Sequence, residues 1–314
     1  MQFERRPSSW RLLIGVKTAT AYSPCNITGF FQVHDKASHP LQVGSTGAGV
    51  ALAKGVNTKL SIKKAQASRV DATFNGKRLP RRSVSVRVAT RYIELDGRPW
   101  RVDVTHTSPL AVGCGYGTSG AGALSLSLAL NETMGLSLST LEAAQIAHIS
   151  EIECRTGLGT VASVFSGGLT LRTIPGAPGV GRVSKVAVPS SLMLITASFG
   201  PISTSSILGS ASLKRRVNAC GKGLSQKFDR RSPQKSFMIL SKGFAECVGL
   251  MSQRLSRLVT RLDSTGIKSS MTMLGESVFC MAPKEVVPLV TTLLRRHGMT
   301  PYASRIARSG AHLL

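Results

Sequence analysis

Between Pro109 and Glu132 the chain reads PLAVGCGYGTSGAGALSLSLALNE, a glycine- and hydroxyl-rich loop that passes directly into an apolar helix. Gly115, Gly117, Gly120 and Gly122 let the backbone turn so that several N–H groups point at one anion. The helix they open adds its positive end. Thr118 and Ser119 put two hydroxyls at the turn, where a phosphate or a magnesium ion would sit. A tight turn packing helix on sheet also wants small residues, but it does not need the hydroxyl pair, so the anion reading is preferred. Gly115, Gly117 and Gly120 form a literal GxGxxG. A dinucleotide fold would also require a buried strand directly before it and an acidic residue on the next strand about 20 residues later. The acidic candidates lie instead in or after a second helix. No GxxxxGK[ST] sequence occurs, which excludes a P-loop.

The elements that must hold this loop follow from periodicity. GVNTKLSIKK and VDATFNGKRL read as short strands, the second broken at Asn75-Gly76, and the alternation of SVSVRVATRYIELDGRPWRVDVT (Ser83 to Thr105) about Asp96-Gly97 predicts a β-hairpin. Ser119 to Met134 is apolar on two faces and predicts a buried helix. A second helix starts at Ser139, with Glu142 at capping-box spacing, and is expected to end at Gly157. GGLTLRTI, VSKVAV and LMLITASFG read as strands, with a turn at Pro175 to Gly179. From about Thr204 the pattern turns helical, and it closes with MTMLGESVFCMAP, a helix from Pro283 to about His297 and a strand near SRIARSG. This predicts a small α+β unit with an open sheet.

Composition narrows the function classes. Forty Lys+Arg against 15 Asp+Glu give a net charge of +25 over 314 residues. Such a surface attracts polyanions, but its cations concentrate in Lys54–Arg87, Lys214–Arg231 and Arg295–Arg308, away from the glycine loop. With aromatics at 5 per cent, stacking platforms for single strands are few, so nucleic-acid affinity reads as incidental to the basic surface. No run reaches the roughly 18 apolar residues of a membrane span. Six scattered cysteines without a CxxC pair predict reduced, cytoplasmic usage, and six histidines without HxxxH or HExxH give a zinc site little support.

The glycine loop resembles the second motif of the GHMP kinases, a proline followed by a GLGSSGA-like loop and a helix. Pro109, Gly115, Gly117, Thr118, Ser119, Gly120 and Ala121 occupy the matching positions. SSMTMLGESVFCMA (Ser269 to Ala282), containing Gly275, is similar to that family's third motif, which closes over the nucleotide phosphates. SPCNITGFF (Ser23 to Phe31), GSTGAGVAL (Gly44 to Leu52) and the block from His148 to Gly179 resemble, within the family, the archaeal pantoate kinases.

The resemblance implies a two-domain α+β fold: residues 1–19 as an extension or first strand, 20–200 as an ATP- and substrate-binding domain with a mixed or antiparallel sheet, and 201–314 as a ferredoxin-like domain. It implies ATP and Mg2+ as cofactors and phosphorylation of the 4-hydroxyl of pantoate, for coenzyme A synthesis in the cytoplasm. It leaves open another hydroxy-acid kinase of the family, a catalytically impaired nucleic-acid-binding protein on the same scaffold, and a homodimer. By the same resemblance, Gly115, Gly117, Thr118, Ser119, Gly120, Ala121 and Gly275 hold the phosphates, and Ser119 and Glu151 the metal. Asn26, Ser45 and Arg172 hold the substrate. Two positions depart from the family pattern. Thr160 stands where the motif TGLGD carries the Asp expected to take the proton from the attacking hydroxyl, and Asn26 stands where His usually precedes ITGFF. Because phosphoryl transfer rests mostly on positioning and charge neutralisation, a base can be partly dispensable, which leaves three outcomes open: Thr160 orients the hydroxyl, the protein is slow, or it has lost activity.

Overall fold

The computed structural model describes residues 15–202 and 209–314. The N-terminal extension up to residue 14 and the first residues of the expected helical region lie outside them. The first strand, β1 (Lys17–His34), returns along β2 (Gly44–Lys64) as a long antiparallel hairpin. β2 then serves two neighbours. Its first part, Gly47 to Val50, pairs with β6 (Leu169–Ile174), and its last part, Asn57 to Lys64, pairs with β5 (Trp100–Thr107). β3 (Arg69–Phe74) runs parallel to β5 and carries β4 (Lys77–Arg78) at the edge, while β7 (Arg182–Val186) extends β6. The C-terminal β12 (His312–Leu313) returns to pair with β1.

One face of this sheet is covered by α1 (Val84–Asp96), α2 (Thr118–Met134), α3 (Thr140–Cys154) and α4 (Thr160–Ser166). α2 is buried nearly all round, with Leu124, Leu126 and Leu130 at 0 % exposure, as its two apolar faces predict. Each such leucine contributes about 1.5–3 kcal/mol by leaving water. α3 begins as expected, with a complete capping box between Ser139 and Glu142, but it ends at Cys154 with Arg155 in the left-handed region rather than at Gly157.

The hairpin expected from Ser83 to Thr105 is corrected: Val84–Asp96 is α1, followed by the strand β5. Val84, Val88, Ala89 and Tyr92 form one buried helical face, and the Asp96-Gly97 pair closes a helix instead of a hairpin. Gly97 sits at φ 72° and its N–H bonds Ile93 O.

The second sheet has the order β11 (Tyr302–Arg305), β8 (Leu192–Pro201), β10 (Gly275–Pro283), β9 (Ser269–Met271), with every pair antiparallel. Counted along the chain this is fourth, first, third, second, the order of a ferredoxin-like split βαβ repeat. β8 thus enters the second sheet before residue 200. Between these strands lie α5 (Ala211–Gly221), α6 (Pro233–Val248), α7 (Gln253–Asp263) and α8 (Val287–Arg296). The expected all-reduced cysteine set is also corrected: Cys220 on α5 and Cys247 on α6 form a disulfide, while Cys25, Cys114, Cys154 and Cys280 are free. A single apolar cluster joins β1 to this half, where Phe31 meets Phe244 and Phe237 meets Phe279. The seam between the halves carries the site. No helix among the described residues is long and apolar enough to cross a membrane.

Candidate active site

The loop before α2 folds as its glycines dictate. Gly117 is the N-cap at φ 62°, a conformation that side chains disfavour, and no side chain caps the helix. Ala121 is the first α2 residue whose N–H bonds back to Gly117 O, so the amides of Thr118, Ser119 and Gly120 stay free of intrahelical partners. Thr118 and Ser119 open on a cleft of about 650 Å³ lined also by Gly115, Gly117, Thr160 and Arg172, among others, with Gly120 buried just behind them. An anion of phosphate size fits this arrangement without further donors.

Behind the loop lies Glu151 of α3, 1 % exposed. Ser119 Oγ donates to its Oε1 at 2.8 Å and Thr156 Oγ1 donates to the same atom at 3.0 Å. Burial pushes the Glu151 carboxyl above its ordinary value, and the two hydroxyls oppose that shift. Its Oε2 is cradled by glycines, since a Cβ on Gly120 would stand 2.6 Å and one on Gly157 2.5 Å from it. Glu151 and Ser119 offer oxygen donors of the kind that Mg2+ prefers. No group of three or more His, Cys, Asp or Glu residues among the described residues forms a metal site by itself.

Arg172 of β6, which also lines the cleft, is 2 % exposed. Its Nε donates to Ser45 O at 3.3 Å and its Nη1 to Ser163 Oγ at 2.7 Å. It makes no ion pair among the described residues, and burial alone lowers its pKa to about 10. A buried guanidinium without a carboxylate is costly, and the cleft it lines is where an anionic partner can reach it. Ser45, the second residue of β2, lies beside Gly159, and Thr160 opens α4 with its methyl against Gly117 and Gly120.

Besides Glu151 and Gly120, three expected residues stand behind the cleft wall. Asn26 is 2 % exposed, and its N–H bonds Tyr116 O at 2.9 Å, tying β1 to the glycine loop. Its Nδ2 donates to Thr28 Oγ1 while its Oδ1 has no partner. Ala121 is fully buried. Gly275 packs on the backbone of Cys114, which also accepts bonds from Thr272 Oγ1 at 3.1 Å and Ser277 Oγ at 2.8 Å, so the Ser269–Ala282 segment buttresses the glycine loop. Its neighbours Met273 and Leu274 are the ones that face the cleft.

The residues that sequence reasoning passed over are supporting ones. Thr156 lies inside the block from His148 to Gly179, at the first position of the stretch matched to TGLGD, within reach of notice. Ser163, which holds Arg172, and His148, whose Nε2 donates to Val43 O at 2.9 Å just before Ser45, carry no local signal.

A helix N-terminus turned toward a cleft, a buried carboxylate behind it and a seam between an α/β half and a ferredoxin-like half define the class of GHMP small-molecule kinases. Residues 84–168 match the family described as GHMP kinases N terminal domain. The chain is 31 % identical over 274 residues to pantoate kinase of Methanocaldococcus jannaschii, covering 87 % of this chain and 96 % of that one. It is 33 % identical over 279 residues to pantoate kinase of Thermococcus kodakarensis, covering 87 % and 91 %. A solved structure described as a phosphotransferase related to the CoA biosynthesis pathway superposes with a TM-score of 0.85 at 27 % identity, over 95 % of this chain and 99 % of that one. The chain belongs to the pantoate kinase family of the GHMP kinases.

Proposed function

We propose that the chain transfers the γ-phosphate of ATP to the 4-hydroxyl of pantoate, yielding 4-phosphopantoate for coenzyme A synthesis in the cytoplasm. The observation that carries this reading is Arg172, a buried cation with no acid partner among the described residues, on the wall of the cleft onto which α2 opens. A guanidinium so placed is satisfied by a carboxylate-bearing acceptor, and the α2 end by the phosphates of the donor.

The free amides of Thr118, Ser119 and Gly120 bind the phosphate oxygens, and the α2 dipole favours the negative charge they carry. Glu151 and Ser119 would hold Mg2+, which would supply charge neutralisation to the phosphates. Arg172, fixed by Ser45 O and Ser163 Oγ, orients pantoate through its carboxylate so that the 4-hydroxyl faces the donor. Thr160, at the head of α4, lies where it can orient that hydroxyl but not take its proton. Positioning and electrostatics therefore carry the rate.

Comparing pantoate with pantoamide, which lacks the carboxylate, tests the reading. We expect kcat/KM for pantoate to exceed that for pantoamide by at least 100-fold. Equal values would remove Arg172 from substrate recognition.

A further inference from the structure

A second cavity, about 750 Å³, opens where β7 and the turn after it face the segment that follows β11. Its floor is apolar, with Leu169, Val186, Leu192 and Ile306, and its rim carries Lys185, Arg305 and Arg308. No carboxylate lines it, and none of the three cations forms an ion pair among the described residues. The walls are fixed by backbone bonds. Gly168 N donates to Ala307 O at 2.7 Å, Ala307 N donates to Ala51 O at 2.9 Å, and Lys185 Nζ donates to Arg308 O. Gly168 also lets the Lys185 stem lie across the floor, since a Cβ there would stand 2.7 Å from Lys185 Cε.

The same four strands line both cavities. β1 presents Tyr22 to the second cavity and Thr28 to the cleft, β2 presents Ala53 and Ser45, β6 presents Leu169 and Arg172, and β8 presents Leu192 and Pro201. Leu169 and Arg172 are three residues apart on one strand. An object seated against Leu169 and Lys185 thus bears on the element that holds Arg172.

We propose that this second cavity is a regulatory site for a small organic phosphate, its phosphate held by Lys185, Arg305 and Arg308 and its apolar stem on the Leu169–Ile306 floor, and that occupancy changes the affinity of the cleft for the acid substrate. Three cations lining one cavity that has no acid among the described residues select a polyanionic head. An apolar floor of this size accepts a stem that inorganic phosphate lacks. The coupling half rests on the reading of Arg172 given above, whereas the binding half stands apart from it.

The test is calorimetric titration with hexyl phosphate, the cleft being filled with a non-hydrolysable ATP analogue and Mg2+. Saturable one-to-one binding is expected, weakened at least tenfold in the double variant Arg305→Gln/Arg308→Gln and in Lys185→Gln. It should change less than twofold in Arg257→Gln, an exposed arginine on α7 outside the cavity. No saturable binding, or an equal loss in Arg257→Gln, overturns the site and assigns the attraction to the basic surface at large. In steady-state kinetics the same probe should change KM for pantoate at least twofold in the unmodified protein and not in the double variant. Binding without any change in KM overturns the coupling. The calorimetry needs no turnover, so failure of the site and failure of the proposed reaction are distinguishable.

Discussion

Replacing Arg172 with methionine separates recognition from stability, because the two should move in opposite directions. Burial lowers the Arg172 pKa from 12.5 to about 10. At about 1.4 kcal/mol per pKa unit this is a cost of about 3 kcal/mol for holding the cation where no acid neutralises it. Methionine removes that cost. It also removes the bonds to Ser45 O and Ser163 Oγ, although Ser163 keeps its bond from Thr170 Oγ1 at 3.2 Å. Two lost hydrogen bonds offset about 1–3 kcal/mol. The ligand-free variant should therefore be as stable as the parent or more stable by up to about 2 kcal/mol, a rise in Tm of roughly 0–6 °C. Substrate recognition should fail: truncating one partner of a buried charge pair costs about 2–5 kcal/mol, or about 30-fold to several-thousand-fold in kcat/KM for pantoate. KM for ATP should stay within about threefold, since Arg172 is bonded to Ser45 O and Ser163 Oγ and to no residue of the glycine loop. Differential scanning fluorimetry and initial rates of ADP release measure both arms. A fall in Tm of more than about 5 °C together with an unchanged KM for pantoate would refute the reasoning, because Arg172 would then be a structural residue.

Gly120→Ala would ordinarily favour α2 by about 1 kcal/mol, but its Cβ would stand 2.6 Å from Glu151 Oε2 and 2.8 Å from Thr160 Cγ2. No gain in stability and at least a tenfold loss of kcat are expected, and a stabilised, fully active variant would show that the cradle tolerates a side chain. His106 is buried between Thr58 and Ser85, and burial lowers its pKa to about 4 from 6.5, so its neutral form is the folded one. As pH falls below about 6.5 the unfolded state gains a proton that the folded state refuses, and stability drains away toward pH 4 by up to about 3 kcal/mol. Glu151, whose pKa burial raises, pulls the other way in the same window, so the informative quantity is the difference between parent and His106→Gln. That variant should lose less stability than the parent between pH 6.5 and 4, and parallel pH profiles would contradict the assignment. Thr160→Asp should raise kcat at least tenfold by supplying a group that accepts the hydroxyl proton, and an unchanged or lower rate would mean that position 160 does not face the acceptor.

The cleft was largely legible because its parts are local. Four glycines and two hydroxyls within eight residues, followed by an apolar run, mark a tight turn into a helix, and the structure puts Ser119 there with its Oγ 2.8 Å from Glu151 Oε1. The capping box at Ser139 and the strands around Asn75-Gly76 were equally local. What the sequence hid depends on the partners a segment meets. Val84, Val86 and Val88 alternate as a strand would, yet Val84, Val88 and Tyr92 are also one helical face, and only burial against the sheet decides between them. Cys220 and Cys247 stand 27 residues apart on two different helices, a spacing without any local signature. Gly275 sits in a recognisable loop, but its work is steric, against the Cys114 backbone, and only coordinates reveal that. Ser163 likewise becomes informative once Arg172 is seen to be buried beside it.

The most direct test of the account is turnover of pantoate by the purified, folded protein with ATP and Mg2+, with the product characterised by phosphorus NMR. The account predicts stoichiometric ADP and a phosphate monoester on the 4-hydroxyl of pantoate, both lost in Glu151→Gln. Folded protein that forms neither product, or that phosphorylates neutral alcohols as readily as pantoate, would contradict it.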